Sequence, residues 1–335
     1  MFKMSASVGI DLGTANCLVY VKDKGIVLRE PSVVAMDKDS GEVLAIGEDA
    51  QKMIGRTPGN IVAIRPLKDG VISDFDMTEA MIRHFLDKVI GKSFLFRPKV
   101  MICIPAEFTE VERRAVQEAA EQAGAKKVFM IEETIAAALG AGVDISEPFG
   151  TMIVDIGGGT CDVAVISLGG IVKGESIRVA GNKFDSDIET YIKRAHHLLI
   201  GERTAESIKM TIGAAYVGAR NLNMEIRGRD MITGMPKNIT VETEEIAKSV
   251  QESVIKIIDC IRHVLDSTPP ELSADILDRG IILTGGGSLL YGLNELIRRE
   301  TGGITTIVAD DPLSCVAIGT GKALESGGFE KSSKI

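Results

Sequence analysis

A chain of 335 residues with 45% hydrophobic and 25% charged side chains has the make-up of a folded globular protein. It holds more chain than one core usually organises, so two lobes are expected and a fibrous or disordered chain is excluded. The formal charge of -9 argues against nucleic acid as a partner, because a protein that grips phosphates broadly needs a basic face.

In chain order, the first residues carry no signal-peptide pattern and no apolar run reaches spanning length, so the chain is expected to stay in the cytoplasm without crossing the membrane. Five scattered cysteines with no CxxC pair, and the adjacent His196-His197, encode neither a disulfide framework nor a zinc site, which fits a reducing compartment. Residues 8–12 are an apolar run, broken by Gly13-Thr14-Ala15-Asn16 and resumed at 17–21, a pattern that predicts a β-hairpin. Residues 77–90 predict a helix with Met81, Ile82, Phe85, Leu86 and Val89 on one face and Gly91 at its end. Phe94, Leu95 and Phe96 follow, set among Lys92, Arg97 and Lys99. On these residues alone, phenylalanines folded back into the core are the first reading, and insertion beside anionic lipid is the second.

After a strand over 100–104, Thr109 and Glu112 form a capping box that opens a helix running to Gln122, with Gly124 as its left-handed stop. Residues 154–166 then repeat the pattern of 8–21: apolar strand, aspartate, glycine-rich turn with threonine, apolar strand. The repeat lies half-way along the chain, so it predicts two related lobes rather than a solenoid. Thr243 is expected to cap a long helix carrying Ile246, Val250, Val254, Ile257, Ile258, Ile261 and Leu265, stopped before Pro269-Pro270. A buried strand over 280–283 enters Gly285-Gly286-Gly287-Ser288. Strands alternating with helices make the fold α/β, and the hairpins make its sheets mixed.

The three glycine-rich turns share one property, exposed backbone. Glycine lets successive N–H groups converge on an oxyanion, so a phosphate can be cradled without a basic side chain. No GxxxxGK[ST] loop is present, and the first two turns lead into strands rather than helices, which disfavours P-loop and Rossmann sites. Asp11 and Asp155 precede equivalent turns, and paired carboxylates beside a polyphosphate suit a hydrated Mg²⁺, held through water or directly. The bland alternative is that each caps its own turn.

The motifs Gly9-Ile10-Asp11-Leu12-Gly13-Thr14-Ala15-Asn16, Val154-Asp155-Ile156-Gly157-Gly158-Gly159-Thr160 and Leu283-Thr284-Gly285-Gly286-Gly287 resemble the phosphate-one, phosphate-two and adenosine motifs of the actin, sugar kinase and heat-shock chaperone ATPases. Longer phrases at 30–35, 54–70, 201–206 and 225–230 are similar to the MreB family of bacterial actins, and the resemblance covers nearly the whole chain. It implies an actin-like, two-lobed fold with duplicated ribonuclease-H-like domains and ATP between them. The implied lobe I core is 1–32, 75–145 and 318–335, with a small subdomain at 33–74. The implied lobe II core is 146–180 and 244–317, with a small subdomain at 181–243.

Carried over residue by residue, Asp11, Gly13, Thr14, Ala15, Asn16, Asp155, Gly157, Gly158, Gly159 and Thr160 would surround the ATP phosphates and Mg²⁺. Glu206, Ser207, Ile208 and Lys209, with Gly285, Gly286, Gly287, Ser288 and Leu289, would hold the nucleoside. Glu206 and Lys209 are three apart on a predicted helix, so both can face one cleft; an exposed ion pair between them is the alternative. Glu133, helped by Thr160, would orient the attacking water. Thr134 stands where the family pattern has proline, Cys161 replaces a common threonine, and Asn182 occupies a usually acidic position, which together imply a slow ATPase. The resemblance also implies homopolymer filaments, control of cell shape and contact with cell-shape membrane proteins. It makes Phe94, Leu95 and Phe96 a membrane-insertion loop, placing the protein on the inner face of the cytoplasmic membrane. One such loop binds weakly, so attachment needs many subunits in a row. A chaperone would need a further substrate-binding module after the short C-terminal helix, and a small-molecule kinase a catalytic aspartate that no motif supplies.

Overall fold

A computed structural model of the chain describes residues 7–91 and 97–326. Two five-stranded sheets carry the same topology. In the first, Ser7–Leu12, Asn16–Val21 and Gly25–Pro31 form an antiparallel meander, and Lys99–Ile104 and Lys127–Glu132 extend it as parallel strands from the Ser7–Leu12 edge. In the second, Thr151–Ile156, Cys161–Ser167 and Gly170–Ile177 form the meander, and Ile281–Thr284 and Thr306–Val308 are the parallel strands. The duplication read from the two Asp-Gly-Thr motifs is therefore a duplication of whole sheets.

Burial explains the strand composition. Met152, Val154, Ile156, Val163 and Val165 join a core with Phe184, Ile188, Val254 and Ile257 from the helices Gly181–His196 and Thr243–Asp266. Val8, Ile10, Val19, Val100 and Ile102 do the same with Met81, Phe85, Val116 and Ala120 from Phe75–Ile90 and Glu110–Gln122. A third cluster lies between the sheets. There Met101 and Ile131 of the first meet Ile153 and Ala164 of the second through Ala136, Ala137, Ala138, Val316 and Ala323.

Those small side chains belong to two helices, Glu133–Gly140 and Cys315–Ser326, whose backbones touch. A β-carbon on Gly140 would lie 1.8 Å from the Cys315 carbonyl oxygen, and one on Gly319 would lie 1.7 Å from that of Ala136. Outside this layered body sit two small sheets, Val43–Ile46, Val34–Asp37 and Ile61–Ile64 within the first half, and Leu198–Leu199, Asn223–Asp230 and Pro236–Glu242 within the second. They support the four-part division at 33–74 and 181–243, which we propose as the small subdomains.

Helix ends follow local chemistry at some termini and tertiary contacts at others. The Thr109–Glu112 capping box is present in full and the helix ends at Gln122. The helix expected from residue 77 begins at Phe75, because the Asp74 carboxylate caps it by accepting the Met77 N–H at 3.1 Å. Thr243 is not the cap expected of it. Glu242 caps that helix in a box with Glu245, while the Thr243 hydroxyl is taken by the backbone of Leu222, donating to its carbonyl and accepting its N–H at 3.2 Å each. Gly280, at φ 85°, closes the helix Pro270–Arg279, so the strand expected from 280 starts at Ile281. Among the described residues no helix is long and apolar enough to cross a membrane, and all five cysteines are buried and unpaired.

Because the helix crossing leaves no room for a side chain, Gly319→Ala is expected to cost about 3 kcal/mol of stability, the upper range of overpacking. Denaturant unfolding checks it; an unchanged midpoint would show that the helices can separate freely.

Candidate functional site

Each glycine-rich turn is pinned through its carbonyls. Ser32 donates its hydroxyl to Gly13 O at 2.6 Å and its N–H to Ala15 O at 3.0 Å. On the second turn, Gly181 N–H donates to Gly157 O at 3.1 Å and Asn182 N–H to Gly158 O at 2.8 Å, so the start of the helix Gly181–His196 rests on the turn. Among the described residues, the N–H groups of Thr14, Ala15, Gly158 and Gly159 donate to no backbone carbonyl outside the strands and helices. Those donors are what a nest for phosphate oxygens needs.

The two turns meet. A β-carbon on Gly158 would lie 2.7 Å from the Ala15 methyl, and one on Gly159 would lie 2.6 Å from Thr14 Oγ1. Thr14 Oγ1 in turn accepts the Gly70 N–H at 3.0 Å, and Gly70 packs on the Thr160 methyl. Asn16 is exposed at the rim of this contact.

Beneath the turns lie carboxylates. Asp155 Oδ1 accepts the Thr284 hydroxyl at 2.6 Å, and Asp11 Oδ1 accepts the Cys103 thiol at 3.4 Å. Burial pushes Asp155 up to about 7, opposed by the Thr284 hydrogen bond and assisted by the charges of Asp162 and Asp11. Burial likewise raises Asp11 to about 6, with the Cys103 hydrogen bond acting the other way. Glu133, the first residue of its helix, is held far above the ordinary carboxylate range by burial and then by Asp162, Asp155 and Asp11. Among the described residues no cationic side chain offsets these three shifts. Four acidic groups in a poorly solvated space need protons or a cation to coexist.

Asp162 is the member that sequence reading missed. It faces Asp155 across the second hairpin, and burial raises it too. Both of its oxygens are buried and neither reaches hydrogen-bond geometry with a partner. The signal was available in the Cys161-Asp162 pair, but Leu18 faces Asp11 at the corresponding rung of the first hairpin, so a comparison seeking only what the repeats share passes over it. Among the described residues no group of three or more acidic, cysteine or histidine side chains has the geometry to ligate an ion. A buried carboxylate opposite Asp155, with Thr160, Ser176 and Glu133 around it, nevertheless fits a hydrated Mg²⁺ held through water, the less direct of the two modes considered.

Around the third turn, Gly285 at φ 76° packs against the end of the second hairpin: its β-carbon would lie 2.3 Å from Ile156 O, and that of Gly287 2.4 Å from Ile156 Cγ2. Gly286 carries the start of a short helical turn, Gly286–Leu289. Ser288 is buried and bonds Gly285 O at 2.6 Å, while Leu289 is exposed.

The expected nucleoside helix spans Glu202–Ile212. Glu206 is half-buried and Ser207 exposed. Ile208 needs correction. Its side chain is fully buried in the second-lobe core, because it falls on the apolar face with Ala205 and Ile212, so only its backbone could reach a ligand. Lys209 does not pair with Glu206 on the surface. It donates to Asp185 Oδ2 at 2.8 Å and Gly181 O at 3.0 Å, which brings its ammonium against the back of the second turn. Asp185, also unforeseen, is raised to about 6 by burial despite Lys209.

The departures from the family pattern have separate fates. The Thr134 hydroxyl is buried without a hydrogen-bond partner, a cost that proline would not carry. Cys161 points into the second-lobe core rather than the site. Phe94, Leu95 and Phe96 lie outside the described residues.

Paired sheets with facing phosphate-type turns define an actin-like two-lobed protein. A family model described as MreB/Mbl protein matches residues 5–331. The cell shape-determining protein Mbl of Bacillus subtilis (strain 168) is 56% identical over 319 residues, covering 95% of this chain and 96% of its own. The cell shape-determining protein MreB of Escherichia coli (strain K12) is 52% identical over 326 residues, covering 96% and 94%. Among solved structures, MreB5 of Spiroplasma citri bound to ADP superposes with TM-score 0.92 at 38% identity over 99% of both chains. The AMPPNP-bound form gives 0.93 at 37%, over 99% of this chain and all of that one. The chain belongs to the MreB/Mbl family, and the sugar-kinase and chaperone readings are set aside.

The raised carboxylates predict a pH dependence of definite sign. A carboxyl whose folded pKa exceeds its unfolded value binds more protons when folded, so its contribution weakens as pH rises from about 4 through the folded pKa near 7. Without metal, wild type should therefore lose stability relative to Asp155→Asn between about pH 5 and pH 8, and added Mg²⁺ should restore it at the upper end. Parallel melts of the two proteins measure this, and a difference that stays constant with pH would remove Asp155 from a charge-strained site.

Proposed function

We propose that the chain binds Mg·ATP between its lobes and hydrolyses it slowly as a filament-forming bacterial actin that governs cell shape. The observation that carries this reading is the contact between two duplicated glycine turns above carboxylates that have no cationic partner among the described residues. A polyphosphate with its metal supplies what each half lacks, acceptors for the turn N–H groups of 14–15 and 158–159 and positive charge for Asp11, Asp155 and Asp162. The ADP- and AMPPNP-bound Spiroplasma relatives support a nucleotide there.

When bound, the metal would neutralise charge on the phosphates. The chain's own residues would then do the positioning that phosphoryl transfer chiefly requires. Thr14 and Thr160, at the contact of the turns, would fix the terminal phosphate, and Glu133, entering from the crossing helix, would aim a water along the line of attack. As the carboxylate, Glu133 would accept that water's hydrogen bond most strongly and could take up its proton, a form that positive charge beside Asp11 and Asp155 would favour. Glu133→Ala is accordingly expected to slow phosphate release at least about tenfold while nucleotide affinity by calorimetry stays nearly intact. Weaker binding with unchanged turnover per bound nucleotide would make Glu133 structural.

The same reading includes self-association into filaments, which family membership supports, together with attachment to the inner face of the cytoplasmic membrane and contact with cell-shape membrane proteins. For the membrane we assign Phe94, Leu95 and Phe96, each worth roughly 1.5–3 kcal/mol when fully buried in apolar surroundings. Phe94→Ser with Phe96→Ser should abolish co-sedimentation with anionic liposomes and leave the melting temperature unchanged. A large drop in melting temperature with lipid binding intact would place both rings in the core.

A further inference from the structure

Arg65 follows the strand Ile61–Ile64 and touches two elements from opposite halves of the molecule. Its Nη1 donates to the Ala15 carbonyl of the first turn at 3.3 Å. Its Nε and Nη2 both donate to Glu202 Oε1, at 3.0 and 2.5 Å. Glu202 opens the helix that carries Glu206 and Lys209. Among the described residues this is the one ion pair that joins residues 33–74 to residues 181–243.

A carboxylate at a helix start is favourable on its own, which would account for Glu202 but not for an arginine reaching it from the other half of the chain. The planar guanidinium is also the group suited to hold a loop carbonyl and a carboxylate at once, where an ammonium would offer only a point charge. The Ala15 carbonyl already receives the Ser32 N–H, so the two donors together fix the orientation of the first turn.

We infer that Arg65 and Glu202 form a clasp across the mouth of the nucleotide cleft, with Arg65 the positioning residue that ties lobe closure to the first phosphate turn. The inference rests on the nucleotide reading above. With side-chain exposures of 21% and 44%, the pair adds little to global stability, and its signature is kinetic: the ion pair must break before bound nucleotide leaves.

The test is stopped-flow release of N-methylanthraniloyl-ADP from the full chain with Mg²⁺, chased by unlabelled ADP, beside thermal melts. Glu202→Ala, and Glu202→Gln, which keeps the side chain's size, should each speed release by roughly three- to tenfold without moving the melting temperature. Wild-type release should quicken with added salt while both variants stay flat. The swapped pair, Arg65→Glu with Glu202→Arg, should regain part of the slow release, because it restores the bridge but not the Ala15 contact. Wild-type release rates in both Glu202 variants would overturn the clasp and leave the nucleotide site standing, as would faster release that neither salt nor the swapped pair affects. Failure of wild type to bind the labelled nucleotide would overturn both.

Discussion

The crossing of the helices Glu133–Gly140 and Cys315–Ser326, backbone against backbone at Gly140 and Gly319, sets the distance between everything else. Each sheet rests on this pair through the shared cluster, so the separation of the lobes is fixed by how closely two main chains can approach. The first hairpin leans on the same helix, since Gly9 abuts Thr320 and Gly321 abuts the Tyr20 ring. Glu133 begins the other. The same contact that joins the lobes therefore also places the proposed water-orienting residue and the first phosphate turn, and a shift of one helix along the other would be felt at the site.

Electrostatics gives that placement its chemical content. Asp11, Asp155, Asp162 and Glu133 are all pushed toward the neutral form by burial, a state that a stable core would avoid and that a cation relieves. On the proposed reading ligand and fold would be coupled in one direction: nucleotide with its metal would complete the charge balance at the centre, the turns would close on the phosphates, and the Arg65–Glu202 bridge would close the rim. Opening would then have to undo these in the reverse order, which would let the proposed slow hydrolase hold its nucleotide while subunits assemble.

Much of this was legible in the sequence, because the informative features are local. Strand–Asp–Gly–Thr–strand repeated at half the chain length announces both the paired hairpins and their pairing, and the Thr109–Glu112 capping box is a contact within four residues. What escaped depends on side chains brought together from far apart. Asp162 matters only because Asp155 lies opposite, Lys209 is claimed by Asp185 rather than by the nearer Glu206, and Thr243 serves Leu222 instead of its own helix. Ile208 shows the opposite case, a motif position carried over whole although helical periodicity alone puts its side chain with Ala205 and Ile212 on the buried face and leaves only its backbone for a ligand.

The central claim is that the turns at 13–16 and 157–160 close on the phosphates of a metal-bound nucleotide above Asp11, Asp155 and Asp162. A crystal structure of the chain with AMPPNP and Mg²⁺ tests it most directly. The account predicts the triphosphate between the two turns, hydrogen-bonded by the N–H groups of 14–15 and 158–159, with the metal's waters on Asp11 and Asp155. A nucleotide seated elsewhere, or turns still in mutual contact with the phosphates outside them, would contradict it.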